Sequence, residues 1–383
     1  MARDATKKTI RTFAWASFFN DMGSDMIYPV WPMFVTVFLG ANMAALGLID
    51  GLGEAFVSIA KAVSGYVSDR IGRRKPFIWT GYLFGAVSRL GYAFAPTWQA
   101  LIPFKVLDRV GKMRGAPRDA MVADISSDHN RGEHFGLMKA MDNLGAVCGI
   151  VVCALLFGRL GYHHLFLLAA IPSVLSTYLI LRHIRETAPP SKRIFHGLSL
   201  KELDSPFRLF LVLNAIFALG TFSYSFLLIY AKDYGFKATT IPLLYLVFTA
   251  SAAVVSLPIG RISDRIGRKA VMYFSFLVWG LVCMIFLLTR SPALIALNFL
   301  LYGIHKGALD TVQSTFVSEL SPAAFRATGL GVFQMAIGIC ALPASLIAGL
   351  LWEEIDPSIP LFFSLGLTVL ATVMLLFVRE KPS

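Results

Sequence analysis

Two carboxylates one turn apart interrupt the first apolar stretch of the chain. They are Asp21 and Asp25, in WASFFNDMGSDMIYPVWPMF from Trp15. Spaced i, i+4, they share one face of a helix. A later stretch, FKVLDRVGKMRGAPRDAMVAD, places Lys105, Asp108, Arg109 and Lys112 at i, i+3, i+4 and i+7, a single polar stripe. Between the two lie Arg89 and the row Asp50, Glu54, Lys61. A carboxylate in apolar surroundings feels two opposed influences: desolvation favours its neutral form, and a nearby cation favours its charged form. A group moved between those settings takes up and releases a proton. Asp25 and Glu54 are the leading proton-coupling candidates, with Asp21 next. Arg109, flanked by Lys105, Asp108 and Lys112, is the candidate for contact with a solute or for coupling. The competing reading is a static buried ion-pair network that only fixes helix packing.

The surroundings of these charges decide what they need. Of 383 residues, 56% are hydrophobic, and the mean hydropathy is +0.66. A soluble protein has no room for so much apolar side chain. Apolar runs of about 20 residues, each long enough to cross a bilayer, recur along the chain. The short alternating segments of a β-barrel are absent, and the first run is too long and too polar at its centre for a removable leader. Twelve spans are expected, at 12–39, 44–67, 77–95, 98–124, 135–158, 162–182, 207–231, 239–262, 271–289, 293–317, 328–351 and 358–378. The fold class is therefore all-α, a membrane protein of twelve transmembrane helices. Lipid cannot solvate the polar stripes, so they must face the bundle interior or a water-filled cavity.

The segment 183–206 is charged and contains proline; it reads as a cytoplasmic linker between an N-terminal six-helix half, 1–182, and a C-terminal half, 207–383. Even-numbered connections and both tails carry twenty-one Lys and Arg; odd-numbered ones carry four. Both termini are then expected in the cytoplasm. The same bias accounts for the net charge of +12, so no nucleic-acid partner is expected. Cys148, Cys153, Cys283 and Cys340 fall in apolar runs without metal spacing and are expected to pack helices. No metal site or cofactor is expected. There is no P-loop, HExxH or GxSxG motif, so neither ATP-driven work nor hydrolytic chemistry is expected, and the chain is not expected to be an enzyme.

An internal repeat organises the whole. GYVSDRIGRRKPF (65–77) returns as GRISDRIGRKAVM (260–272). The offset of 195 residues links Asp69 to Asp264, Asp124 to Glu319, Arg131 to Arg326 and Gly136 to Gly331. One offset at four places indicates two homologous halves. The doubled G-x-x-S-D-R-x-G-R-[RK] loop, between spans 2 and 3 and again between spans 8 and 9, resembles the signature loop of the major facilitator superfamily. The resemblance covers the whole chain.

It implies a secondary transporter that works by alternating access. It also implies a cytoplasmic gating element built from Gly65, Asp69, Arg70, Gly72, Arg73, Asp124 and Arg131, and in the second half from Asp264, Arg265, Gly267, Arg268, Glu319 and Arg326. In such folds spans 1 and 4 line the cavity. Drug exporters of the superfamily carry R-x-x-Q-G-x-G on span 4. Here RVGKMRG keeps Arg109 and Gly115 but has Lys112 and Met113 in place of Gln and Gly. Their G-P-x-x-G element on span 5 is here NLGAVCG, without proline.

Adding 195 to Asp21, Asp25, Asp50, Glu54, Lys61, Arg89 and Lys105 lands on no ionisable residue except Tyr245. The first half alone bears these costly buried charges, each about 2.5–3.5 kcal/mol near a helix centre, so it is expected to carry the specialised site. The expected activity is movement of a small organic solute, coupled to protons and leaning to drug or metabolite efflux. The alternative is uptake or exchange of an anionic or zwitterionic metabolite; a receptor on the same fold is the outlying reading. Partners are the solute, protons and the lipid bilayer of a bacterial inner membrane, for a monomer. Trp31, Trp98 and Trp352 are expected in an interfacial belt. Lys306 and Asp310 are expected to neutralise each other across one helical turn, and His305 to pack.

Overall fold

The computed structural model describes residues 2–126, 131–186, 205–320 and 326–378. Within these it leaves undescribed the side chains of 2–5, 69, 131–133, 136, 257, 318 and 326–328. Most of the 183–206 linker therefore lies outside the described residues, as do the side chains of Asp69, Arg131, Gly136 and Arg326. The described part is all-α, and every expected span falls on helix. Among the described residues, seven helices are long and apolar enough to cross a membrane. One of them, Leu137–His183, has 47 residues. It is kinked at Gly161, whose φ of +65° suits a residue without Cβ, so it provides spans 5 and 6. Span 8 is bent by 45° between Ser256 and Pro258.

Spans 1 and 4 depart from the expected continuous helices. The helix Ala2–Asp25 stops and resumes only at Trp31. Pro29 has no N–H to give the carbonyl of Asp25, four residues back, and its ring clashes there. Span 4 runs as Trp98–Val110, a 3₁₀ segment Gly111–Arg114, then Gly115–Ile125. Pro117 likewise cannot bond the carbonyl of Met113, which instead accepts from Ser64 Oγ at 2.7 Å. Lys112 thus sits on a 3₁₀ turn, not on the regular i+7 stripe expected for it.

The chain forms two compact units. The first comprises the described residues of Met1–Gly40 and Phe56–His196, the second those of Ala41–Ala55 and Gly197–Ser383. The helix Met43–Ile71 thus contributes its first part to one unit and the remainder to the other. In the first unit, Ala2–Asp25 packs along Arg131–His183. The contact is backbone to backbone: a Cβ on Gly145 would strike the Phe18 carbonyl, and one on Gly149 the Met22 carbonyl. Small residues four apart let membrane helices approach this closely. A core of Phe13, Ile78, Tyr82, Val122, Met138 and Ile180 closes one end.

In the second unit, Ile241–Ile266 packs on Pro292–Leu320, and Ile359–Phe377 on Ser205–Gly220. Span 7 is also broken. After Gly220 a new helix, Tyr224–Asp233, starts from Ser223, whose Oγ accepts from Ser225 N at 3.2 Å. Asp50 Oδ2 accepts from Ser223 Oγ at 2.8 Å and Ser225 Oγ at 2.5 Å. A carboxylate at a helix start is favoured by the partial positive charge there.

Candidate functional site

The first unit brings most of the sequence candidates together. Asp25 ends the first helix of span 1, where Pro29 breaks it. It lies in electrostatic range of Asp21, Lys112, Arg89 and Arg109, yet no ion pair within 4.0 Å reaches it among the described residues. Asp21 accepts from Asn20 Nδ2 at 2.8 Å, and Arg114 Nη2 stands 3.9 Å away. Arg109 Nε is 3.8 Å from Asp108 Oδ2, and its Nη1 is 3.5 Å from the Tyr28 hydroxyl. Asp108 is also within range of Arg89, Lys112 and Lys105.

Lys105, only 3% exposed, sets Nζ 3.9 Å from the centre of the Trp31 ring. Such a contact stabilises a desolvated cation. Trp31 is itself 1% exposed. It is therefore a buried partner of a cation, not the interfacial residue expected from its place near a span end. The apolar run around it hid this, because a cation–π contact pairs residues of different spans.

Arg89, 2% exposed, donates to Ser24 Oγ at 2.6 Å and to the Asn20 carbonyl at 3.2 Å. A second cluster continues the seam: Arg118 Nη1 donates to Ser17 Oγ at 2.6 Å and stands 3.7 Å from Asp142. Asp142 feels the charge of Asp21, so the two clusters form one electrostatic system. Sequence reasoning did not single out Tyr28, Arg114, Arg118 or Asp142 as site residues. Arg114 and Arg118 were visible as further charges in span 4; Tyr28 and Asp142 gave no signal in spacing.

Glu54 is exposed and belongs to the second unit, within range of Lys306. Lys306 Nζ pairs with Asp310 at 2.9 Å, as the spacing predicts. His305 is buried, with Nδ1 2.9 Å from Ser275 Oγ and its ring stacked on Trp279.

The repeated loops share their glycine turn. Gly72 and Gly267, equivalent by the 195-residue offset, have φ of +72° and +93°. Only glycine takes that conformation without strain, which explains its presence in both copies. Gly65 lies within the helix Met43–Ile71; Arg70, Arg73 and Arg265 are exposed. In the first copy Asp124 pairs with Arg74. Glu186 caps the next helix by accepting from Arg74 N at 2.8 Å. In the second copy Arg268 pairs with Glu319 at 2.8 Å and Asp264 at 2.6 Å. Arg74 was missed: within the run Arg73, Arg74, Lys75 nothing in one dimension marks which cation turns inward.

The model of the Major Facilitator Superfamily matches residues 13–228 and 209–383. The chain belongs to that superfamily. It is 35% identical over 381 residues, covering 97% of this chain and 95% of the relative, to an uncharacterized MFS-type transporter of Methanocaldococcus jannaschii. It is 24% identical over 375 residues to the multidrug resistance protein MdtH of Aeromonas hydrophila, covering 94% and 93%. Among solved structures, the D323A mutant of the nucleoside transporter NupG aligns with a TM-score of 0.81 and 16% identity, covering 97% and 100%. This superfamily member is thus a multi-pass integral membrane protein of a transporter family.

Proposed function

We propose that this protein is a proton-coupled secondary transporter that exports small organic solutes by alternating access, with Asp25 as its proton carrier. The observation that carries the reading is the setting of Asp25. It is a half-buried carboxylate at the broken end of span 1, ringed by four charges and bound directly to none of them. Such a group changes its proton affinity with small shifts of its neighbours. Discontinuous membrane helices are where transporters place ion and substrate sites, and spans 1 and 4 are both broken beside this cluster. The efflux direction draws on the similarity to a multidrug resistance protein. Glu54 is the lesser candidate because it belongs to the second unit, where Lys306 is in its electrostatic range.

A second reading has its own support. Five cations, Arg89, Lys105, Arg109, Lys112 and Arg114, meet three carboxylates, Asp21, Asp25 and Asp108. That excess favours an anionic or zwitterionic solute held by Arg109.

Thermal stability of the purified protein against lipophilic cations, organic anions and zwitterions, at two pH values, separates the readings. A ligand of the folded state raises the apparent Tm by mass action. Stabilisation by lipophilic cations that is stronger at the higher pH and lost in Asp25→Asn supports export. Stabilisation by anions, lost in Arg109→Gln, selects the second reading. Ligand responses unchanged by either substitution would remove the site from this cluster.

A further inference from the structure

The helix Ala2–Asp25 opens with a basic turn that the transport site does not use. Lys7, Lys8 and Arg11 from this helix, with His183 from the end of Arg131–His183, line one side of a cleft of about 700 Å³. Trp15 and Phe19 line it further along the same helix. Trp15 is 49% exposed, stacked on Phe19 with ring centres 5.7 Å apart. None of Lys7, Lys8 or Arg11 forms an ion pair among the described residues. His183 Nδ1 faces the Leu179 carbonyl at 3.3 Å, which leaves Nε2 for a ligand.

We propose that this cleft is a binding site for an anionic phospholipid. The phosphate sits among Lys7, Lys8, Arg11 and His183, and an acyl chain lies along Trp15 and Phe19. Orientation bias alone requires cations at this end of the helix. It does not require them to share a cleft with an exposed Trp15 and a half-buried Phe19, one to two turns farther along. A basic cluster beside an amphipathic aromatic is the pairing that recognises a negatively charged headgroup joined to a chain. A zwitterionic lipid brings no net charge to the cations. Free inorganic phosphate offers the same headgroup chemistry but has no use for the aromatic wall.

The full-length protein is reconstituted into phosphatidylcholine bilayers containing either phosphatidylglycerol or phosphatidylcholine with brominated chains. The readout is the part of the tryptophan quenching that Trp15→Phe removes. Brominated phosphatidylglycerol is expected to quench Trp15 at lower mole fraction than brominated phosphatidylcholine. Lys8→Gln with Arg11→Gln is expected to weaken the phosphatidylglycerol affinity by about 25-fold, the scale of two basic contacts with an anionic surface. Arg208→Gln with Arg261→Gln removes the same charge from exposed positions elsewhere and is expected to leave the affinity unchanged. Equal quenching by the two lipids overturns the proposal. So does equal loss in both double variants, which means surface charge only. Displacement of phosphatidylglycerol by inorganic phosphate also overturns it, in favour of a soluble phosphate ligand.

Discussion

At the scale of single residues, the proposed function gives Asp25 and Arg109 different tasks. Asp25 has four charges in range and no ion pair among the described residues; Arg109 is held between Asp108 and Tyr28, with its guanidinium carbon 5.3 Å from the Tyr28 ring centre. Asp25→Asn keeps the shape and removes the titration. It is expected to abolish solute movement driven by a pH gradient in proteoliposomes, while exchange of labelled for unlabelled solute persists. Retained gradient-driven transport in this variant would rule Asp25 out as the carrier. Arg109→Lys keeps the charge but loses the planar, stacking guanidinium. A charge-assisted contact of about 1.5–3 kcal/mol is lost, so solute affinity should fall about 10- to 100-fold by thermal shift titration. An unchanged affinity would make Arg109 a packing residue.

The helices give these residues their positions, and their interruptions matter more than their lengths. Pro29 ends the first helix at Asp25, and Pro117 turns the chain at Lys112 into a 3₁₀ segment. Pro29→Ala permits the missing bond to the Asp25 carbonyl. It is expected to hold or raise the apparent Tm while slowing turnover, since a continuous helix removes the soft point at the carboxylate. A faster transporter would contradict that role. Gly149→Val drives a branched side chain into the Met22 carbonyl and is expected to cost about 1–3 kcal/mol of stability, the range for overpacking. Unfolding midpoints of the purified variant check it.

The helical spans and the repeated loops were legible because hydropathy and a fixed offset are one-dimensional signals. The breaks were not: apolar residues continue on both sides of Pro29, so the hydropathy of span 1 runs through the interruption. The pairing of Asp124 with Arg74, and of Lys105 with Trp31, depends on contacts between spans. Glu54 shares the apolar context and one-turn spacing of the cluster members, and nothing in one dimension shows that it belongs to the second unit.

Over the whole molecule, two kinds of charge are distributed differently. Acids that repeat, Asp124 and Glu319, each pair with an arginine of the nearby loop: Arg74 in one copy, Arg268 in the other. Of the acids that do not repeat, Asp21, Asp25 and Asp108 gather in the first unit, while Asp50 and Glu54 belong to the second. The proposed function reads the contrast through duplication: what both halves need to move is kept twice, and what recognises the cargo is specialised once. The two classes should then fail differently. Asp124 is a quarter exposed and Glu319 nearly half, and ion pairs that open to solvent contribute about 0–1 kcal/mol to stability. Asp124→Asn and Glu319→Gln are therefore expected to leave the apparent Tm and the ligand-induced shift nearly unchanged. Their transport rate in proteoliposomes should drop, by a similar factor for each. Substitutions at Asp25 and Arg109 should instead remove the coupling or the ligand shift. If Asp124→Asn erased the ligand shift, or if Glu319→Gln transported at the full rate, the repeated pairs would not be a shared moving part. The division of labour between the two classes of charge would then be wrong.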